Sequence, residues 1–531
     1  MLRMTLALGL CLALSVAADC GLCALVVVEP CLRYQTLVGY GQGSMDQRNV
    51  PWYTELAAAE RERLLDRLYT LRGDGLGLTI CRTYMCAGDA LGHAHFSRRP
   101  GGLPAPLGYE PADGVYAWDG HEASLWHAQG AQRRGAMMVA FWNSPPHWLT
   151  VSGCTSGAAD GGPNLRQGLE DRFARHVVAV LKHYRDAWGV DYERVSPINE
   201  PEADWWQENG GQDGCHVDAA QAVTLINALD RRLRGAGLRC RLQAFEAAYA
   251  GSLGYLDRLL FDRQVRSALA ELTCHQYIAA PGSLRRWRQR ARAHGKPLWM
   301  SEWGDWTNQG LELALNYARK LHEAHRVMQA EAWCMWEPGF LLAQTEGRLE
   351  PNVAYYAVAQ FMRFARPGMR VIEATDTTAK TTAYLDEAGR QLVVITVNDA
   401  GTAVPMRCDL SAFEGLREVR AWRTSEHERL APLAPIPCRK GFATELPAES
   451  VTTFVGEYRT LSSPLVANGG FETGGLGPWR GEPEASTGVQ HNYPQGGLCD
   501  GFIDLIAGQS GRLWQEVTGL EPRACGCSGT S

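Results

Sequence analysis

The sequence predicts an α/β fold: a (β/α)8 TIM barrel with a side antiparallel β-sandwich and, after them, a C-terminal β fragment. Three observations carry this. Short apolar runs alternate eight times with stretches of helical period between residues 36 and 363, the signature of parallel strands joined by helices. Beyond Pro367 the helical period stops, and strand-like runs separated by turn residues replace it. Two of the apolar runs end at a glutamate, in Ser196-Pro197-Ile198-Asn199-Glu200-Pro201 and in Pro297-Leu298-Trp299-Met300-Ser301-Glu302, and strand ends are where barrels keep their chemistry.

A chain of 531 residues is too long for one core and calls for two or three domains. Residues 1–18 combine Met1-Leu2-Arg3, an apolar run from Leu6 to Val16 and the small pair Ala17-Ala18, the pattern of a secretory signal peptide too short to span a bilayer. The run 24–28 has no helix behind it and is assigned to the sandwich. Barrel strands are expected at 36–40, 78–84, 136–142, 192–199, 238–245, 272–277, 297–302 and 330–336. Helices are expected at 54–71, 121–134, 165–188, 218–235, 253–270, 283–293, 312–328 and 353–363. Sandwich strands follow at 371–374, 381–385, 391–398, 404–409, 417–422 and 451–456. The barrel is thus placed at 37–365 and the sandwich at 19–36 with 366–459. From 464 to 531, Asn468-Gly469-Gly470-Phe471-Glu472, Trp479 and Leu513-Trp514-Gln515-Glu516-Val517 resemble part of a jelly-roll carbohydrate-binding module. A low-complexity tail is the competing reading of that stretch.

Composition narrows the partners. A net charge of −6 leaves no basic footprint for nucleic acid, and 17 tryptophans suit stacking on sugar faces. No run after the first is long and apolar enough to span a membrane. Sixteen cysteines fit an oxidising compartment. Cys20-x-x-Cys23 and Cys525-x-Cys527 have no second pair or histidine cluster to complete a zinc site. The expectation is a secreted, extracellular, monomeric protein that takes a polysaccharide, with no cofactor and no metal.

An isolated Asn-Glu-Pro is an ordinary turn signal, and most of the 58 acidic residues are solvated charges. What sets Glu200 and Glu302 apart is their pairing. Each ends an apolar strand, Pro201 cannot continue the ladder, and indoles that no surface turn requires follow at Trp205, Trp206, Trp303 and Trp306. Two such carboxyl groups point to a pair facing a sugar.

Residues 24–458 resemble glycoside hydrolase family 30. The resemblance rests on Gly75-Leu76-Gly77-Leu78-Thr79-Ile80-Cys81-Arg82, Trp142-Asn143-Ser144-Pro145-Pro146-His147-Trp148, Asn199-Glu200-Pro201, His275-Gln276-Tyr277, Ser301-Glu302-Trp303 and residues 360–368. Within the family, residues 150–154 and 209–216 look like loops of endo-β-1,6-galactanases, with departures at Trp142 and Asp213. The resemblance implies a retaining mechanism, with Glu302 as nucleophile and Glu200 as acid and base, the two carboxyls about 5 to 5.5 Å apart. It implies that Arg82 and Tyr277 hydrogen-bond the nucleophile, that Asn199 reaches a sugar hydroxyl, that Trp142 and Trp336 form the sugar floor, and that Asn143, Trp205 and His275 also line the substrate site. Cys154 and Cys215, in Gly-rich loops after the third and fourth barrel strands, are expected to pair as a disulfide. A β-1,6-glucanase or xylanase, or a barrel that binds carbohydrate without cleaving it, are the alternatives.

Overall fold

Short apolar runs that are buried on both faces can pair only in a sheet covered by helices, and here they close on themselves. The computed structural model describes residues 24–43, 55–88, 108–208, 210–376 and 379–462, and the backbone of four short strands between 480 and 514. After a long strand β1 (Ala24–Thr36), eight parallel strands form a closed barrel: β2 (Gly39–Gln42), β3 (Ile80–Tyr84), β4 (Met137–Phe141), β5 (Arg194–Ser196), β6 (Arg241–Tyr249), β7 (Leu269–Ile278), β8 (Leu298–Glu302) and β9 (Ala332–Met335). Strand alternation divides their side chains. Ile80, Val139, Trp299, Ala332 and Cys334 fill the barrel interior, while Cys81, Met138, Ala140, Met300, Trp333 and Met335 join the layer beneath the helices.

The surrounding helices show the apolar spacing that buries one face. In Glu170–Asp186 the buried apolar residues are Phe173, Ala174, Val177, Val180, Leu181 and Tyr184, one stripe of a 3.6-residue period. Ala219–Gly235 starts where Asp218 accepts from the N–H groups of Ala220 and Gln221, both at 2.9 Å, satisfying donors that the helix itself leaves open. The stretch expected as one helix over 253–270 is broken in two, Leu253–Phe261 and Arg263–Ala268, by Asp262, which caps the second through the Val265 N–H at 2.9 Å.

The second sheet is mixed rather than purely antiparallel. Its eight longer strands run in the order Glu418–Thr424, Ser450–Glu457, Gln391–Asn398, Lys380–Asp386, Arg370–Thr375, β1, Val404–Asp409, Gly441–Leu446, and the short strands Ala431–Pro432 and Ile436–Pro437 both pair with Glu418–Thr424. All these neighbours are antiparallel except β1 and Val404–Asp409. The reason lies in chain order: β1 arrives from outside the run of hairpins and enters between two strands that are not consecutive. Gly441–Leu446 was not anticipated, and Thr36 belongs to β1, so the barrel begins at Gly39.

Barrel and sheet share one apolar core. Val371, Tyr384, Val393, Ile395, Val397, Val451 and Val455 from the sheet lie in the same cluster as Tyr317, Leu321, Val358 and Phe361 from the barrel helices. The two chain crossings are tied together, Leu37 N–H to the Met369 carbonyl and Gly368 N–H to the Leu37 carbonyl, each at 2.8 Å. Residues 1–18, read as a leader, lie outside the described residues. In the stretch 464–531 the described backbone forms two antiparallel pairs, Arg480–Glu482 with Arg512–Trp514 and Thr487–Gln490 with Asp500–Ile503; its motif residues Asn468 to Glu472, Trp479 and Gln515 to Val517 lie outside the description. No helix among the described residues is long and apolar enough to cross a membrane.

Candidate active site at the barrel mouth

Alternation carries Arg82 on β3 inward, and its guanidinium lies 3.7 Å over the Phe141 ring. Arg82 is buried and donates to groups on or just after three other strands: Nη1 to Glu302 Oε2 at 2.6 Å, Nη2 to Asn199 Oδ1 at 2.9 Å and to Glu246 Oε2 at 3.2 Å. Charge-assisted bonds of this length fix both partners. Tyr277 donates to the other Glu302 oxygen at 3.0 Å, so the Glu302 carboxylate is held at both ends.

Glu200 follows β5 in a left-handed conformation, φ 50°, and Glu246 within β6 has φ 56°. Such backbone is strained by about 1–3 kcal/mol and persists where surroundings over-determine it. Here they do. Glu200 N–H donates to the Glu246 carbonyl at 3.0 Å, and Trp206 Nε1 donates to the Glu200 carbonyl at 2.8 Å. His275 stands between the acids, with Nδ1 at 2.8 Å from Glu200 Oε1 and Nε2 at 3.2 Å from Glu246 Oε2.

Electrostatics separate the three carboxyls. Burial raises Glu200 above the ordinary carboxylate range, with Glu302 adding to the rise and His275 and Arg82 opposing it. Burial would raise Glu246 too, but Arg82, His275 and the Ser301 hydroxyl at 2.5 Å hold it down at about 2. Burial would lower His275, yet Glu302, Glu200 and Glu246 push it up to about 10. One donor atom each from Glu200, His275 and Glu302 lie within 4.8 Å of one another. A metal would find little room among them, since both imidazole nitrogens and both Glu302 oxygens already have protein partners. The cluster is charge-paired.

Glu200, Glu302, Arg82, Asn199, His275 and Tyr277, read from the sequence, therefore meet in one network. Trp336 packs with Tyr84, Phe141 and Phe340 at the mouth, Asn143 is buried with its Oδ1 lacking a protein partner, and Trp205 stands on the rim, 41% exposed, edge-on to Tyr249. Trp142 departs from expectation. It is fully buried and edge-on to His176 of the neighbouring helix, because Phe141 takes the inward position and the next side chain must face outward. Trp142 is thus no sugar floor. Trp306, 63% exposed and beside Tyr277 and Phe340, offers an indole at the rim instead. Its loop is braced by Asp305, which accepts from the N–H groups of Thr307 and Asn308 and from the side chains of Thr307, Asn308 and Asn316.

The expected Cys154–Cys215 disulfide is not formed, and no disulfide occurs among the described residues. The two loops are joined by backbone hydrogen bonds instead: Gly214 N–H to the Thr155 carbonyl at 2.8 Å, Asn164 N–H to the His216 carbonyl at 2.9 Å and Glu208 N–H to the Ala158 carbonyl at 3.0 Å. Cys154 Sγ sits 3.0 Å from Ser156 Oγ, and Cys215 Sγ 3.6 Å from the His216 carbonyl oxygen. Asp213 bridges the same loops to the barrel, accepting from Tyr84 and from Thr155.

Glu246 and Ser301 were not singled out from the sequence as site residues. The expected strand ended at Phe245, one residue short of Glu246. Its one signal was an acid set inside an apolar stretch, with Leu242-Gln243-Ala244-Phe245 before it and Ala247-Ala248 after it.

Comparison with known proteins agrees with this geometry. Residues 66–287 match the family model for O-glycosyl hydrolase family 30. The chain is 24% identical over 311 residues to an endo-β-1,6-galactanase of Hypocrea rufa, a match covering 57% of this chain and 63% of that one. Among solved structures it resembles a family 30 endoxylanase from Clostridium papyrosolvens, with TM-score 0.61 and 22% identity over 81% of this chain and 99% of the other. It also resembles an endo-β-1,6-glucanase, with TM-score 0.62 and 16% identity over 82% of this chain and 94% of the other.

Proposed function

We propose, from the match of residues 66–287 to the model for O-glycosyl hydrolase family 30, that the protein is an exported, retaining hydrolase of β-1,6-linked galactan such as arabinogalactan side chains. The observation that carries the reading is the approach of Glu200 and Glu302, oxygen to oxygen within 4.8 Å. That separation leaves no room for a water between acid and sugar, as an inverting enzyme needs, and fits attack by one carboxylate.

In the proposed reaction Glu302 is the nucleophile. Arg82 and Tyr277 hold its two oxygens and aim it. Burial favours the protonated form of Glu200, so it gives its proton to the leaving oxygen, then takes one from the water that opens the glycosyl-enzyme. Asn199, turned by its bond to Arg82, presents its amide to a sugar hydroxyl. Trp205, Trp306 and Trp336 supply ring faces and edges around the mouth.

The galactan assignment rests on the Hypocrea rufa relative and on the loops after β4 and β5; export rests on residues 1–18. Release of reducing ends tests the substrate. We expect kcat/KM on β-1,6-galacto-oligosaccharides to exceed that on β-1,6-gluco-oligosaccharides and xylan by about a hundredfold, since buried polar groups built for one hydroxyl arrangement are left unpaired by another. Equal or faster turnover of glucan or xylan overturns the galactan reading. No release from any of the three overturns the hydrolase.

A further inference from the structure

We propose that Glu246 is a positioning residue whose fixed negative charge keeps the site electrically neutral in both halves of the reaction and so holds the working proton on the Glu200–His275 pair. The inference rests on the hydrolase reading above. Glu246 touches no substrate position. It lies fully buried behind the two reacting acids, and a single oxygen, Oε2, takes Arg82, His275 and Ser301.

Each group facing it enters the ledger. Arg82 comes from β3, Glu200 from the end of β5, Cys274 and His275 from β7, Glu302 from β8 and Cys334 from β9. Burial raises both thiols far from ionisation, so they count as neutral. His275 has a carboxylate oxygen at each ring nitrogen, the arrangement of an imidazolium donating both ways. Glu202, beside Glu200 and His275, is pushed up to about 7 by burial and counts as neutral while it holds its proton. Arg82 and His275 are then positive, Glu246 and the Glu302 group that accepts from Arg82 and Tyr277 negative, and the charges cancel when Glu200 holds a proton. In the first step a Glu302 oxygen bonds the anomeric carbon, the bond to the leaving oxygen breaks with its electron pair, and that oxygen takes the Glu200 proton. Glu302 is now a neutral ester and Glu200 an anion, so the sum is again zero. Water then bonds the anomeric carbon, gives a proton to Glu200, and the ester pair returns to Glu302. Without Glu246 both states would be positive by one charge, and in a buried site that excess drives a proton off the pair.

The test has two arms. The first needs no substrate: protein labelled with [15N]histidine is titrated by NMR, with the His275 signals assigned by their loss in His275→Gln. We expect both ring nitrogens to stay protonated past pH 8 in the unaltered protein and to lose a proton at least about one pH unit lower in Glu246→Gln. The second is the pH profile of kcat/KM, whose alkaline limb is expected to move down by about a unit or more in Glu246→Gln and to return in Glu246→Asp. A lower rate with the limb unmoved, or an unchanged His275 titration, overturns the proposal and leaves Glu246 a structural brace. If the unaltered protein cleaves none of the three polymers, the hydrolase reading fails, and the first arm still decides the charge role.

Discussion

At the scale of single residues, the site predicts sharply different losses for groups that react and groups that aim. Glu302→Gln and Glu200→Gln preserve shape and remove only the acid, so on the proposed galactan substrate each is expected to cut kcat by about a thousandfold or more with the melting temperature little changed. Azide should restore turnover of an activated substrate to Glu200→Ala and give the β-azide; wild-type-like turnover in either glutamine variant would sink the assignment. Tyr277→Phe deletes one hydrogen bond to a charged oxygen, worth about 1.5–3 kcal/mol, and kcat should fall about ten- to hundredfold. The sequence made Glu200 and Glu302 legible because a proline, a strand end and tryptophans mark them. It concealed Glu246, since Ala247 and Ala248 continue the apolar run beyond it and no proline marks a stop. It misdirected Trp142, because composition names an indole but only the parity of β4, with Phe141 inward, says which way it points.

At the scale of elements, the loops after β4 and β5 form the rim next to Glu200, and the packing of the second of them on itself depends on Gly214. A methyl group there would lie 2.0 Å from the Trp206 ring, and Trp206 is the residue whose Nε1 holds the Glu200 carbonyl. Gly214→Ala is therefore expected to displace the indole, cost about 1–3 kcal/mol of stability and lower kcat, while Gly235→Ala, at the end of a helix with nothing near the added carbon, should leave the melting temperature unchanged or slightly higher. Alternation of strand and helix was readable because 3.6 and 2 are distinct periods. Loop bracing was not: two glycine-rich loops with a cysteine each invite a disulfide, and only coordinates show that backbone donors of Gly214, Asn164 and Glu208 already join them.

For the whole molecule, the shared core makes barrel and sheet one cooperative unit, and a chain ending near residue 365 should fail to fold, whereas residues 24–462 should melt in a single calorimetric transition. Two histidines at this junction weaken it in acid. His322 faces Thr382 at 2.9 Å and His325 faces Tyr384 at 2.6 Å, and burial lowers each to about 3. Unfolded, each would titrate near 6.5, so below that pH the unfolded chain binds more protons and stability falls as pH drops toward about 3. Replacing both with glutamine should make the fall in melting temperature across that range shallower. Finally, the tie between the barrel's entry and exit, Leu37 with Gly368 and Met369, makes the barrel an insertion hung from one side of the sheet, whose first and last long strands in chain order are β1 and Ser450–Glu457. Tension applied between residues 24 and 457 passes from strand to strand within the sheet, and the barrel lies off the line of load. In a single-molecule pulling experiment the first rupture should release β1 from Arg370–Thr375 and Val404–Asp409, and the barrel should extend only after that clasp has opened.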